Sequence, residues 1–233
     1  MTFPDLTIAP YLPYIFGGFA VMMQLLFMTV IITVTLAFLF GLARMSRNRF
    51  LRLPVSAVVE LFRGTPVLVQ LFWAFYVLPF LGVQLSPIWA AALVIGLNQG
   101  SYSSEIVRGA IKSVPAGQWE AARVLGYAPV QAFRSIIFPQ AVALMILPFT
   151  NIFISLNKFT ALASLVTLTE LTSRALSVRA TTGSTTEVFV LIMILYFAIS
   201  MLIAFGMGKL DGWVGFRFGA KAGRPVQLKE AAT

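Results

Sequence analysis

Few residues in this chain of 233 could carry acid–base, nucleophilic or metal chemistry. It contains no cysteine, no histidine and only eight aspartate and glutamate residues. This composition excludes disulfides, thiolate catalysis, histidine-ligated metal sites and histidine acid–base catalysis. No glycine pair has the GxxxxGK[ST] spacing of a P-loop, so we do not expect the chain to hydrolyse ATP itself. An enzymatic role is disfavoured.

Charged and amide side chains inside apolar stretches are the next candidates. Glu60 and Arg63 are three residues apart, on one helical face and well inside a predicted membrane span. They could pair with each other and fix helix packing, or they could border a translocation path or gate. Asn98 and Gln99 lie near the middle of another span, and adjacent helical residues point about 100° apart. Both amides could serve only to hold helices together, and we expect at most one of them, Asn98, to face a path.

A third polar set is formed by Asn151, Ser155 and Lys158. Their spacing of i, i+4 and i+7 places them on one face of a helix. This face is the best candidate for solute contact in the sequence. The alternative is that Lys158 only reaches the outer lipid headgroups, as long basic side chains at helix ends commonly do.

The composition is that of an integral membrane protein. Hydrophobic residues make up 59% of the chain, charged residues only 11%, and the mean hydropathy is +0.89. A spanning helix needs ~20 apolar residues, and five such stretches are present. The predicted spans are residues 16–42, 54–78, 88–106, 134–158 and 187–209. We therefore expect an all-α polytopic membrane protein with a single domain over residues 1–233.

The basic residues predict the orientation. Four arginines lie within residues 44–52, further basic residues lie within 108–134 and others follow Lys209, whereas the segment 165–184 carries only Arg174 and Arg179. By the positive-inside rule the N-terminus is outside and the C-terminus inside. The net charge of +9 is therefore explained by loop charges, and we predict no nucleic-acid partner.

The polar interval between the third and fourth spans predicts a short cytoplasmic helix over residues 118–125. Pro115 and Gly117 interrupt the preceding helix, Glu120 favours a first turn, and Gly126 is a plausible stop. A short helix on such a loop either lies on lipid headgroups or docks into a partner protein.

The letters of this interval favour docking. Glu120-Ala121-Ala122, Gly126, Ile136 and Pro139, at their spacings, resemble the EAA signature of ABC-importer permeases, with Phe138 where that family usually has leucine. The run 60–66, Glu-Leu-Phe-Arg-Gly-Thr-Pro, is similar to the matching stretch of polar-amino-acid permeases. Residues 158–162 read Lys-Phe-Thr-Ala-Leu where that family commonly has Lys-Asp-Thr-Ser-Leu, and the missing acidic residue and hydroxyl bear on the solute and not on the fold.

The resemblance implies a type I ABC-importer permease of the polar amino acid and opine uptake family, in the bacterial inner membrane. The residues implied to couple to the ATPase are Glu120, Ala121, Ala122 and Gly126. The implied partners are ATPase subunits that bind ATP and magnesium, a second permease subunit, an extracytoplasmic solute-binding protein and membrane lipid. This chain itself would bind no cofactor. The competing class is a secondary transporter of small polar solutes, which would need mid-membrane carboxylates or inverted repeats.

Overall fold

The computed structural model of the protein describes residues 8–218, and all regular secondary structure in that range is helical. The α-helices in chain order are α1 (Leu12–Phe16), α2 (Phe19–Met45), α3 (Arg49–Gly64), α4 (Val67–Phe72), α5 (Pro87–Ser113), α6 (Ala116–Val124), α7 (Pro129–Ala132), α8 (Phe138–Thr160), α9 (Leu171–Thr182) and α10 (Thr185–Phe218). Short π-helical or 3₁₀ turns extend α4, precede α8 and follow α8.

Helices α2 and α5 make the most extensive helix–helix contact. Both carry a small residue at every fourth position of the buried face, which lets the two backbones approach closely. These residues are Thr29, Thr33, Ala37 and Gly41 on α2, and Ala92, Gly96, Gly100 and Ser104 on α5. A Cβ atom at Gly96 would lie 2.4 Å from Ile32 Cγ2, so the contact leaves no room for a larger residue.

The remaining long helices surround this pair. Helix α8 packs against α5 and α10, and α9 packs against α10 and α1. Asn157 of α8 is buried and holds α8 to α10. Its side-chain amide donates to the Tyr196 carbonyl oxygen at 3.0 Å and to Ser200 Oγ at 3.1 Å. A buried amide therefore links α8 to α10 inside the bundle.

A fully buried carboxylate caps α9. Glu170 is 0% exposed, and its two carboxylate oxygens accept from the backbone N–H of Thr172 at 2.8 Å and of Ser173 at 2.9 Å. The Tyr196 hydroxyl donates to the same carboxylate at 3.3 Å. Burial raises the pKa of the Glu170 carboxyl, while these hydrogen bonds act in the opposite direction.

Three helical stretches within residues 8–218 are long and apolar enough to cross a membrane: Ala9–Met45, Pro129–Val166 and Thr185–Gly215. Helix α5, with 27 residues, is roughly 40 Å long but carries a polar middle that faces other helices. The five-span count and the outside N-terminus stay predictions. The predicted inner basic tail continues past Phe218 and lies partly outside the described residues.

The second predicted span, residues 54–78, is not one straight helix. Helices α3 and α4 meet at a break at Thr65 and Pro66, where the chain bends by 104°. Pro66 has no N–H to continue the helix, and a residue before proline is pushed out of the helical region, as Thr65 is with φ −120° and ψ 143°. Taken together, the two helices have the length and apolar composition of one broken span or a re-entrant loop.

Candidate functional site

The predicted docking helix is present as α6, which begins two residues earlier than expected and ends at Val124. Its C-terminus is a Schellman motif: Tyr127 N–H donates to the Ala122 carbonyl oxygen, and Gly126 N–H donates to that of Arg123, both at 3.0 Å. Gly126 has φ +76°, a left-handed conformation that favours glycine. Gly126 therefore stops the helix, as the sequence predicts.

Helix α6 is held against its own bundle along one side. The Trp119 ring stacks on Phe133 with centroids 6.4 Å apart, and Ala122 is fully buried. The resemblance counts Ala122 among the residues that couple to the ATPase, and in this structure its side chain faces the chain's own core. The reason is that the large Trp119 ring, three residues earlier on the same face, sets which side of the helix turns inward.

The outward side of the loop combines polar and apolar groups. Glu120, Ala121 and Gly126 are exposed, as expected of docking residues. The sequence analysis missed three exposed apolar side chains beside them, namely Val124, Leu125 and Val130, which are 88%, 71% and 78% exposed. Their signal was visible as apolar letters in an otherwise polar interval. We call the six residues named in this paragraph the docking patch.

Glu60 and Arg63 belong to a larger ion-pair network that joins α2, α3 and α5. Glu60 Oε1 accepts from Arg63 at 3.3 Å and from Arg44 at 3.1 Å. Arg44 also donates to Glu105 Oε1 at 2.6 Å, and Glu105 Oε2 accepts from Arg108 Nε at 2.8 Å. The pairing of Glu60 with Arg63 is thus present, but both also have partners on other helices.

An amide cluster supports the bend between α3 and α4. Asn98 Nδ2 donates to the Phe62 carbonyl oxygen at 2.9 Å and to Gln70 Oε1 at 3.3 Å, and Asn98 Oδ1 accepts from Gln99 at 2.9 Å. Gln70 Nε2 donates to the carbonyl oxygens of Phe62 and Thr65. The carbonyls freed by the break are therefore hydrogen-bonded.

This cluster changes the expectation for Asn98. The sequence leaves two roles open for Asn98, holding helices together or facing a path, and the structure buries it to 3% exposure with its amide hydrogen-bonded to neighbouring elements. In this conformation Asn98 supports the bend from behind and contacts no open surface. The orientation of the Asn98 side chain is set by its hydrogen bonds to Gln70 and to the Phe62 carbonyl oxygen beside the helix break. Contacts of this kind between distant residues cannot be predicted from residue spacing.

The polar face of α8 is open. Asn151 and Lys158 are exposed, and Ser155 is half-buried with its hydroxyl donating to the Asn151 carbonyl oxygen at 2.9 Å. Between residues 8 and 218 the Lys158 ammonium has no hydrogen bond or ion pair. Residues 151, 155 and 158 all lie within helical α8, so their spacing assigns them to one side of it, and their contact with solute stays a prediction.

Residues 34–211 match the family model described as the binding-protein-dependent transport system inner membrane component. The chain belongs to this family. This permease subunit is 38% identical over 191 residues, 78% of its own chain and 80% of the relative, to a probable amino-acid ABC transporter permease protein of Sinorhizobium fredii. It is 36% identical over 225 residues, 92% and 91% of the two chains, to the octopine transport system permease protein of Rhizobium meliloti.

A third relative and one solved structure agree with this assignment, and a second solved structure shows the same fold. The permease subunit is 42% identical over 171 residues, 73% of each chain, to the L-cystine transport system permease protein of Bacillus subtilis. It superposes with a TM-score of 0.83 and 30% identity on the crystal structure of an amino acid ABC transporter with histidines, covering 91% and 99% of the two chains. The methionine ABC transporter MetNI, at 21% identity and TM-score 0.72 over 88% and 98%, shares the fold.

The permease subunit is therefore an ABC-transporter component of the bacterial inner membrane and not an enzyme, because in this family a separate ATPase subunit hydrolyses ATP. The family also implies a substrate-binding partner. Within residues 8–218 no group of three or more acidic side chains is arranged to hold a metal ion.

Proposed function

We propose that this permease subunit pairs with a second permease subunit, identical or sister, and lines the import path of an amino acid or amino-acid-like solute. The chain acts as one domain of five spans, with the N-terminus outside. The named transport systems of its relatives support this solute class. The open polar face of α8 supports the second subunit, because such a face is costly to leave against lipid.

The docking patch carries the proposal. Helix α6 is short and ends in a Schellman motif, and exposed apolar side chains lie beside Glu120. On its other side, Trp119 packs against the bundle. A surface of this kind fits a groove in a folded partner, and the rigid anchor lets a push on α6 reach the bundle. The partner is the ATPase subunit, where ATP and magnesium bind, and its closure moves α6 as a lever.

The solute path is assigned to the polar face of α8, with Glu60 and Arg63 bordering the path from α3. The Lys158 ammonium suits a solute carboxylate, and the Asn151 amide oxygen suits a solute ammonium. Asn98 contributes indirectly by holding the bend. An extracytoplasmic binding protein delivers the solute, and its affinity across a panel of amino acids and opines identifies which one is carried.

The test of docking uses Leu125→Asp in the complete transporter purified from membranes. A buried charge at the interface should weaken binding of the ATPase subunit at least about tenfold, equivalent to ~1.4 kcal/mol, and so lower the amount that co-purifies. The matched control is Leu81→Asp. Leu81 is 66% exposed, ends a short helix and is followed by Gly82 at φ +84°, near the opposite end of α5.

If the Leu125→Asp variant retains the full amount of ATPase subunit, the docking patch is not the surface that binds the ATPase. Equal loss in both variants would show a general defect in insertion, which is checked by comparing the amounts of permease subunit in the membrane.

A further inference from the structure

Glu105 lies where the docking helix could act on the rest of the bundle. Helix α5 runs unbroken from Glu105 to Ser113, and only Val114 and Pro115 separate it from α6. Val114 is 5% exposed, and the proline ring fixes its own φ, so the connection is short and stiff. A displacement of α6 is therefore passed directly to the end of α5 that carries Glu105.

The Glu105 carboxylate is the point where the ion-pair network converges. It accepts from Arg44 of α2 at 2.6 Å and from Arg108 of α5 at 2.5 Å, and it lies 3.6 Å from Arg63 of α3. The Arg44 side chain is 14% exposed and that of Glu105 26%, so this ion pair is less screened by water and salt than a surface pair, whereas the Glu60 partner of Arg44 is 59% exposed.

Glu105 is also the last member of a stripe on α5 that contacts the end of α3. Asn98, Tyr102 and Glu105 are spaced at i, i+4 and i+7. The Asn98 amide donates to the Phe62 carbonyl oxygen, and the Tyr102 hydroxyl donates to the Arg63 carbonyl oxygen at 2.8 Å. Both bonds end on the last turn of α3, directly before the 104° bend.

We propose that Glu105 is a positioning residue that makes α3 move together with α5. Motion of α6 is then transmitted through α5 to α3 and to the bend at Thr65 and Pro66, because α3 does not slide along α5. This inference rests on the proposed function, since it needs α6 to be moved by an ATPase. Glu105 itself contacts neither nucleotide nor the polar face of α8 in this arrangement.

The experiment uses Glu105→Gln in the reconstituted transporter with its ATPase and binding protein. Basal ATPase activity and co-purification of the ATPase subunit should be unchanged, while stimulation by the solute-loaded binding protein falls about tenfold, within the usual range of coupling between sites. The control Glu187→Gln makes the same chemical change at the start of α10 and should keep full stimulation.

A distance measurement separates positioning from a general structural role. The chain has no cysteine, so spin labels can be placed at Phe50→Cys on α3 and Lys112→Cys on α5, both exposed. When Glu105 is unchanged, the distribution of distances between the two spin labels should be narrow, and ATP should not alter it. With Glu105→Gln it should broaden and depend on ATP.

The inference is overturned if Glu105→Gln keeps full stimulation, if stimulation falls while the label distances stay narrow, or if the ATPase subunit is lost. Should Glu105→Gln fail to insert, Arg44→Gln removes the guanidinium that bridges Glu60 of α3 and Glu105 of α5 while leaving the pair of Glu105 with Arg108, and the same outcomes decide. If the transporter with Glu105 unchanged shows no stimulation of ATPase activity by the solute-loaded binding protein, the proposed function is contradicted. If its two spin labels change their distance with ATP, only the inference about Glu105 is contradicted.

Discussion

At the scale of single residues, burial decides what each polar group does in this permease subunit. Glu170 and Glu60 are both carboxylates, yet Glu170 is fully buried as a helix cap while the Glu60 side chain is 59% exposed in an ion-pair network. Asn98 and Asn151 are both amides, yet one holds a helix bend and the other lies on an open face. Residue type alone does not separate these roles.

The buried Glu170 should make stability depend on pH. Because its pKa is raised by burial, the folded protein holds this proton at pH values where the unfolded chain has released it. The contribution is fully present below the ordinary glutamate pKa and is lost as pH rises through the raised value. Glu170→Gln, which cannot ionise, should therefore show a smaller loss of thermal stability than the unsubstituted protein between pH ~4 and ~8.

The control for this prediction is Thr181→Val on the same helix, whose hydroxyl donates to the Ser177 carbonyl oxygen at 3.1 Å and lies about three turns from Glu170. Its stability should follow the slope of the unsubstituted protein. Identical slopes for all three proteins, followed by thermal unfolding in detergent, would mean that Glu170 does not titrate as its burial implies.

At the scale of helices, the contact of α2 with α5 should be the least tolerant of added volume. Gly96→Val places atoms where Ile32 already lies, and overpacking of this kind costs about 1–3 kcal/mol. The thermal midpoint in detergent should fall accordingly. Gly109→Val is the matched control on the same helix, because no atom lies within 4 Å of a Cβ there, and it should leave the midpoint unchanged or slightly raised.

The sequence predicts the helices better than their junctions. Helix α6 is found within two residues because Pro115 and Gly126 act locally. The bend at Pro66 was overlooked because apolar residues continue on both sides of it, and hydrophobicity alone favours one long helix. The family resemblance is confirmed, whereas the inward direction of Ala122 and the convergence of α2, α3 and α5 on Glu105 depend on tertiary contacts that spacing does not encode.

At the scale of the whole molecule, the proposed import path needs more than this chain. The polar face of α8 is open in the single subunit, and a charged group left against lipid is unfavourable by about 2.5–3.5 kcal/mol at the membrane centre. A second subunit facing it would enclose Lys158 and Asn151 in a shared aqueous space. The docking patch would then appear twice on the assembled transporter, once for each ATPase subunit.

The role of Lys158 can be tested by Lys158→Met. If its ammonium binds the solute carboxylate, the KM for uptake into proteoliposomes should rise at least about tenfold, because a hydrogen bond to a charged group contributes about 1.5–3 kcal/mol. Solute affinity of the binding protein should not change. Lys209→Met, the same replacement at an exposed lysine of α10, is the control, and an equal KM in both variants would favour headgroup contact for Lys158.

The matched small residues of α2 and α5 also bear on how the protein is made. Helix α2 leaves the ribosome before α5, so its small-residue face meets lipid until the later helix enters the membrane. The Thr29 hydroxyl donates to the Leu26 carbonyl oxygen of its own helix at 2.8 Å, so it is hydrogen-bonded before α5 is inserted. Biogenesis of this subunit is therefore only complete once two segments that are distant in translation order have met.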